Sequence, residues 1–199
     1  WSGWEFLQQL ISGGESGQLS MARLVSRRSF AGYWEYRIDD ALFTAPPRTD
    51  HSGAGLFNVK GELMGIGSLV VADALGPGRG RAAGNMFVPV DLLAPILAEL
   101  RERGASHGST RAWLGLNCVE IDGEVHVMRV TPDSPAERAG LRRGDQILRI
   151  DGQDVAGLEA FYKSLWRDGA ERDVQLDIRR GGETQSLTAQ SLDRLKTLR

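Results

Sequence analysis

From Leu19 to Phe43, short apolar groups alternate with polar ones at Met21, Leu24, Val25, Tyr33, Trp34, Tyr36, Ile38, Leu42 and Phe43. Aromatic and β-branched residues are frequent and turns interrupt often, so this stretch predicts short strands. Ahead of it, Trp4–Ile11 fits either helix or strand and is broken by Gly13-Gly14-Glu15-Ser16-Gly17. Leu63–Val71 predicts a buried strand whose glycines allow a backbone or ligand to approach closely. A glycine-rich surface loop follows over 73–85, then a short strand at Met86–Val90. Asp91 is placed to cap a helix running to about Arg103, with Leu92, Leu93, Ile96, Leu97 and Leu100 on one face and Pro95 in its first turn.

The pattern then changes. Residues 104–110 are small and polar with no period, which reads as an interdomain linker. Leu114–Ile121 and Val125–Val130 read as strands. Ser134–Gly140 reads as a short helix opened by Ser-Pro and closed by glycine. Another strand over Asp145–Ile150 ends in the Asp151-Gly152 turn, and Leu158–Trp166 reads as a helix. Val174–Ile178 alternates and is joined through Gly181-Gly182 to Ser186–Thr188 as a hairpin. The expected organisation is a first domain over 1–103, a linker over 104–110, a second domain over 111–190 and a tail over 191–199. The fold class is mainly β with some α.

Composition narrows the function. The 199 residues are 41% hydrophobic with a net charge of −2, which argues against a nucleic-acid surface. One cysteine, Cys118, excludes an internal disulfide and a cysteine-based metal site; no metal and no cofactor is expected. No apolar run reaches membrane-spanning length, and no signal peptide is visible. The chain opens Trp1-Ser2-Gly3 without an initiator methionine, so a processed, truncated or partial sequence is expected.

The candidate chemistry lies in Asp50-His51-Ser52-Gly53-Ala54-Gly55. A serine at a sharp turn between strands can project its hydroxyl while nearby backbone N–H groups face a developing oxyanion. A Ser-His-Asp site also needs a base and an orienting acid. No histidine precedes His51, and adjacent residues on a turn rarely face each other, so His51 is not expected to be the base. His107 and His126 read as linker and strand histidines.

The run Val130–Gly152, with Trp113-Leu114-Gly115-Leu116 before it, resembles a PDZ domain of the permuted kind found in bacterial HtrA-type proteases. The resemblance covers about 111–190. It implies β-augmentation by a peptide or protein C-terminus whose carboxylate lies in a nest of backbone N–H groups. The implied nest is Trp113, Leu114, Gly115 and Leu116, and the pairing edge is about Leu116–Glu120. Phe161 and Leu165 would line the helix side with Leu158 and Tyr162. Arg111 reads as a solvated linker arginine. Gly115→Val is expected to abolish binding and spare the fold.

Residues 20–103 are similar to the second β-barrel of the trypsin-like domain that precedes the PDZ in those proteases. The serine bend, the Gly61-Glu62-Leu63-Met64-Gly65-Ile66 run and the Asp39-Asp40-Ala41 step carry that likeness. It implies that Ser52 is the nucleophile and that the N–H groups of Asp50 and Ser52 line the oxyanion hole. Ile66, Gly67 and Ser68 would pair with substrate, while Pro46 and Phe87 bound a specificity pocket for small or aliphatic side chains. The family has Gly-Asn-Ser-Gly-Gly where this chain has Asp50–Ala54, and a carboxylate beside the hole opposes an oxyanion.

The base and acid would lie in a first barrel upstream, absent from this sequence, so the chain alone is expected to be inactive. The resemblance implies a bacterial, periplasmic or otherwise exported serine endopeptidase acting in protein quality control. It would act on unfolded protein substrates and could be trimeric in the complete protein. The competing readings are a pseudoprotease adaptor that binds peptides without hydrolysis, and an unrelated β domain fused to a PDZ.

Overall fold

The computed structural model describes residues 8–12, 17–106 and 110–197. They form two compact units, Trp1–Phe30 with Ile38–Gly104, and Ala31–Arg37 with Ala105–Arg199.

The first unit holds β1 (Gln8–Ser12), β2 (Leu19–Gly32), β3 (Tyr36–Ala45), β4 (Gly55–Phe57), β5 (Leu63–Val71) and β6 (Gly84–Pro89). These close into a barrel in the order β1-β2-β3-β6-β5-β4. Strand, not helix, is thus the state of the described part of Trp4–Ile11. Ala22, Leu42, Ala54, Leu56 and Phe87 form the buried core. The β4–β5 turn is fixed by Asn58, whose Oδ1 accepts from the N–H groups of Lys60 and Glu62.

After β6, the expected helix from Asp91 is not one helix. Two 3₁₀ turns, Val90–Leu92 and Ala94–Ile96, precede α1 (Leu97–Arg103), and no side chain caps them. Pro95 lies in the second turn and has no N–H to donate, so the α-helix starts beyond it. Gly104 ends α1 at φ +72, its N–H returning to Leu100 O.

The second unit holds β7 (Ala112–Trp113), β8 (Leu116–Ile121), β9 (Glu124–Val130), α2 (Pro135–Arg138), β10 (Gln146–Ile150), β11 (Gln153–Asp154), α3 (Leu158–Leu165), β12 (Asp173–Arg180), β13 (Glu183–Gln190) and β14 (Leu192–Asp193). The main sheet runs β13-β12-β10-β9-β8, with β11 on β10 and β8 at one end. Ser134 caps α2 by accepting from Glu137 N, and Pro135 occupies the first helical position. α3 buries Leu158, Phe161, Tyr162 and Leu165 against the sheet.

Two boundaries differ from expectation. The described part of the expected tail, residues 191–197, is not bare: β14 pairs with β7, Leu192 against Trp113. Residues 31–37, the tip of the β2–β3 hairpin, belong to the second unit.

Candidate functional site: a serine loop and a carboxylate nest

The serine loop is built on backbone. Ala54 N–H donates to His51 O at 2.9 Å, which makes Ser52 and Gly53 the central residues of a turn, with Gly53 at φ +74. That pairing of a normal residue with a positive-φ glycine is type II geometry. Gly53 N–H donates to Gly67 O at 2.9 Å and Gly67 N–H to Ala54 O at 2.8 Å, fastening the turn to β5. Ser52 is exposed, and no hydrogen bond to its hydroxyl occurs among the described residues. His51 is buried with both ring nitrogens unbonded, and no bond joins it to Ser52.

Upstream, Asn85 is fully buried and grips the Arg48 backbone twice, accepting from its N–H at 2.7 Å and donating to its carbonyl at 2.8 Å. Arg48 in turn holds Asp50 through both carboxylate oxygens. This pairing keeps the Asp50 carboxyl below its ordinary range, and a bond from the residue's own N–H adds to the effect.

The substrate-side residues are placed differently from expectation. Ile66 is flanked by β4 and β6, paired with Gly55 and Val88. Both backbone groups of Gly67 are spent on the serine loop. Neither can pair a substrate strand. Ser68, at a bulge in the β5–β6 ladder, lies just beyond the last residue that β4 pairs. Phe87 is fully buried in the core, so it bounds no open pocket. Pro46 borders a cavity of about 370 Å³ with Met21, Ala22, Arg23 and Ala45.

The second unit carries a nest of N–H groups. Leu114, Gly115 and Leu116 point theirs at one oxygen, Glu35 Oε1, at 3.3, 3.0 and 3.0 Å. Gly115 makes this bend possible at φ +83, and a Cβ there would lie 2.3 Å from Ser134 Cβ. Trp113 contributes no N–H to that oxygen; its place is in the ladder with β14. Cys118 N–H, on the end strand β8, donates to Tyr33 O at 3.0 Å. Tyr162 of α3 accepts from Glu35 N–H at 3.0 Å and donates to Gly32 O at 2.8 Å. Arg194 donates to the carbonyl of Glu35 at 3.0 Å.

Burial dominates the electrostatics of this site. Glu35 is 4% exposed, and desolvation pushes its carboxyl up to about 7 against the opposing pull of the three N–H groups and Arg194. Burial, then the Glu35 charge, raises the Cys118 thiol, and burial likewise raises the Tyr162 phenol.

Residues 112–190 match the PDZ domain family. The chain is also 30% identical over 172 residues to a Synechocystis sp. protein assigned as the serine protease HhoA, covering 81% of this chain and 43% of that protein. A DegP-like periplasmic serine endoprotease of Halomonas elongata is 30% identical over 151 residues, 69% of this chain and 30% of its own length. Residues 112–190 therefore carry a PDZ domain, and the chain as a whole is similar to HtrA-type serine proteases. It spans less than half the length of these relatives. Among solved structures, the HtrA-type protease AlgW with a decapeptide superposes with a TM-score of 0.55 at 22% identity, covering 95% of this chain and 61% of that one. At that identity the likeness is one of fold.

Within the PDZ domain, the nest lies one residue later than Trp113-Leu114-Gly115-Leu116 suggested, on the last three of those residues. Phe161 and Leu165 are fully buried, and Tyr162 is the α3 residue whose polar atom meets the bound segment. Arg111 stacks on Trp166 at 4.6 Å from the ring centroid rather than standing in solvent alone. Because its glycine faces Ser134 so closely, Gly115→Val would disturb the packing of the domain and does not separate binding from folding. Glu35 and Arg194 lie 79 residues before and 80 after Leu114 or its neighbours in the chain, which hides them from any local motif. His126 sits on β9 beside Glu124, and His107 lies outside the described residues.

Proposed function

We propose that this chain supplies the serine-bearing barrel and the PDZ domain of an exported HtrA-type serine endopeptidase that acts in protein quality control. The PDZ domain captures peptide C-termini, and unfolded proteins are the substrates. The observation that carries this reading is the convergence of three backbone N–H groups on a single carboxylate oxygen beside the end strand β8. An extended peptide can add there, with its carboxylate in the nest and its backbone on β8. A fluorescein-labelled, alanine-rich decapeptide ending in valine should bind in anisotropy titrations. Its C-terminal amide should bind about tenfold more weakly or worse, since bonds to a charged group are worth about 1.5–3 kcal/mol. Equal affinity of acid and amide would remove the carboxylate from the recognition.

Ser52 is the proposed nucleophile, with base and acid supplied by parts of the protein outside this sequence. Its exposed, unbonded hydroxyl suits that role. In the full-length protein, a fluorophosphonate probe should label wild type and not Ser52→Ala. The substitution should change unfolding free energy by less than about 1 kcal/mol. Undiminished labelling of the variant would dismiss Ser52 as the nucleophile. The adaptor reading draws on Asp50, whose carboxylate, held by Arg48, stands at the residue whose N–H would line the oxyanion hole; absence of labelling in wild type is its expected result.

A further inference from the structure

The nest described above is not empty. Its occupant is a side chain from this chain's own hairpin tip, presented as a peptide C-terminus would be. Tyr33 O, two residues before the carboxylate-bearing residue, pairs with Cys118 N–H on the end strand, and the Glu35 carboxylate caps the three amides. Tyr162 and Arg194 hold the Glu35 backbone from two other elements. Meanwhile the Tyr33 and Trp34 side chains stand 42% and 46% exposed, so the anchor is the carboxylate and not the aromatic rings.

We infer that Glu35 is a resident ligand of the PDZ carboxylate nest, and that a peptide C-terminus binds only by displacing the Tyr33–Glu35 tip. This rests on the reading of the nest as the peptide site.

Two features make the resident ligand displaceable. Glu35 adopts φ +50, a left-handed conformation that is costly for a residue with a Cβ and persists only while its surroundings hold it. Its second oxygen, Oε2, is buried without a hydrogen bond. An unsatisfied buried acceptor costs stability, and an incoming main-chain carboxylate need not share that defect. The site thus binds its own tip well enough to fill it and imperfectly enough to release it. For any ligand, the apparent dissociation constant is the intrinsic one divided by the fraction of molecules with the nest open.

Proton linkage offers a second handle. The docked carboxyl titrates near 7, above the ordinary glutamate value. Docking is therefore strongest below the ordinary value and weakens as pH rises through about 7. The groups facing Glu35 are Arg194, Tyr162 and Cys118; the phenol and thiol are both pushed upward, away from this window. Wild type should accordingly bind the probe peptide more tightly at pH 8 than at pH 5.5, and Glu35→Ala should lose that slope.

The deciding experiment titrates the labelled decapeptide acid and its amide into the whole chain, as wild type, Glu35→Ala and Glu35→Gln, at both pH values. Glu35→Ala should bind the acid about tenfold more tightly than wild type, with Glu35→Gln between them. Circular dichroism and amide spectra check folding. In those spectra the Leu114, Gly115 and Leu116 signals of the unliganded variants should move, as they do when peptide fills the wild-type nest. Equal affinity of wild type and Glu35→Ala for the acid would overturn the resident-ligand inference while leaving the nest itself intact. Weaker binding by the variant would overturn it too, by making Glu35 a helper. If no form distinguishes acid from amide, the nest reading fails first and takes this inference with it.

Discussion

Gly67→Ala should destabilise the barrel unit by about 3 kcal/mol or more, an effect of overpacking against backbone rather than of lost contacts. An added Cβ would fall 1.9 Å from His51 O and 3.3 Å from Phe87 Cε1. The carbonyl cannot retreat cheaply, because it accepts the Ala54 N–H that closes the serine turn. The same residue receives Gly53 N–H and donates to Ala54 O, so displacing it breaks the fastening between turn and β5. Gly53→Ala is the contrasting control: nothing lies within 4 Å of its Cβ, and only the positive φ resists, at roughly 1–2 kcal/mol. Trp34, Trp113 and Trp166 belong to the second unit, so in a background with Trp1 and Trp4 replaced by phenylalanine, tryptophan fluorescence reports that unit. The expected result in a denaturant titration is an early loss of far-UV dichroism with the fluorescence transition unmoved. A shift of under about 1 kcal/mol would show that the loop yields freely, and that Ser52 is less firmly held than its bonding suggests.

Much of this architecture was legible in the sequence because its signals are local. Alternation marked β12 and β13, the Gly181-Gly182 pair supplied two positive-φ residues for their tight turn, and Ser134-Pro135 marked the start of α2. The bend at Leu114–Leu116 was expected from the likeness to PDZ domains and from no local pattern, and Gly115 at φ +83 beside Ser134 fits it. The misreadings have physical causes. Leu92, Leu93 and Leu97 repeat at helical spacing yet remain exposed, and Pro95 splits their segment into 3₁₀ turns. Ile66 and Gly67 lie in a strand of the right kind, but only the pairing pattern reveals that their backbone is already committed. Phe87 is a strand residue whose direction, into the core, depends on barrel closure. Glu35 was the least legible of all. Nothing around a glutamate between Trp34 and Tyr36 announces that it will be buried against a bend some 80 residues away.

Arg180→Met should cost the PDZ domain about 3–5 kcal/mol, the penalty for leaving a buried carboxylate without its partner. Asp145 is 1% exposed and meets Arg180 through both oxygens at 2.7 Å. One of those oxygens also accepts from Arg142 N–H at 2.8 Å, and Arg180 donates further to Gly140 O at 2.8 Å. The guanidinium at the end of β12 therefore ties together the close of α2 and the turn into β10, the segment in which Gly140 and Gly144 both take positive φ. Asp145 also supplies its carbonyl to Val127 N–H, so strain at the pair passes directly to β9. For a domain of this size the loss corresponds to a fall in melting temperature of about 12 °C or more, followed by tryptophan fluorescence. Because the penalty comes from the orphaned carboxylate, the double variant Asp145→Leu with Arg180→Met should regain a large part of it. If the double variant is as unstable as the sum of its single changes, the pair's importance lies in the Arg142 and Gly140 bonds, and the ion pair itself is not what holds the turn.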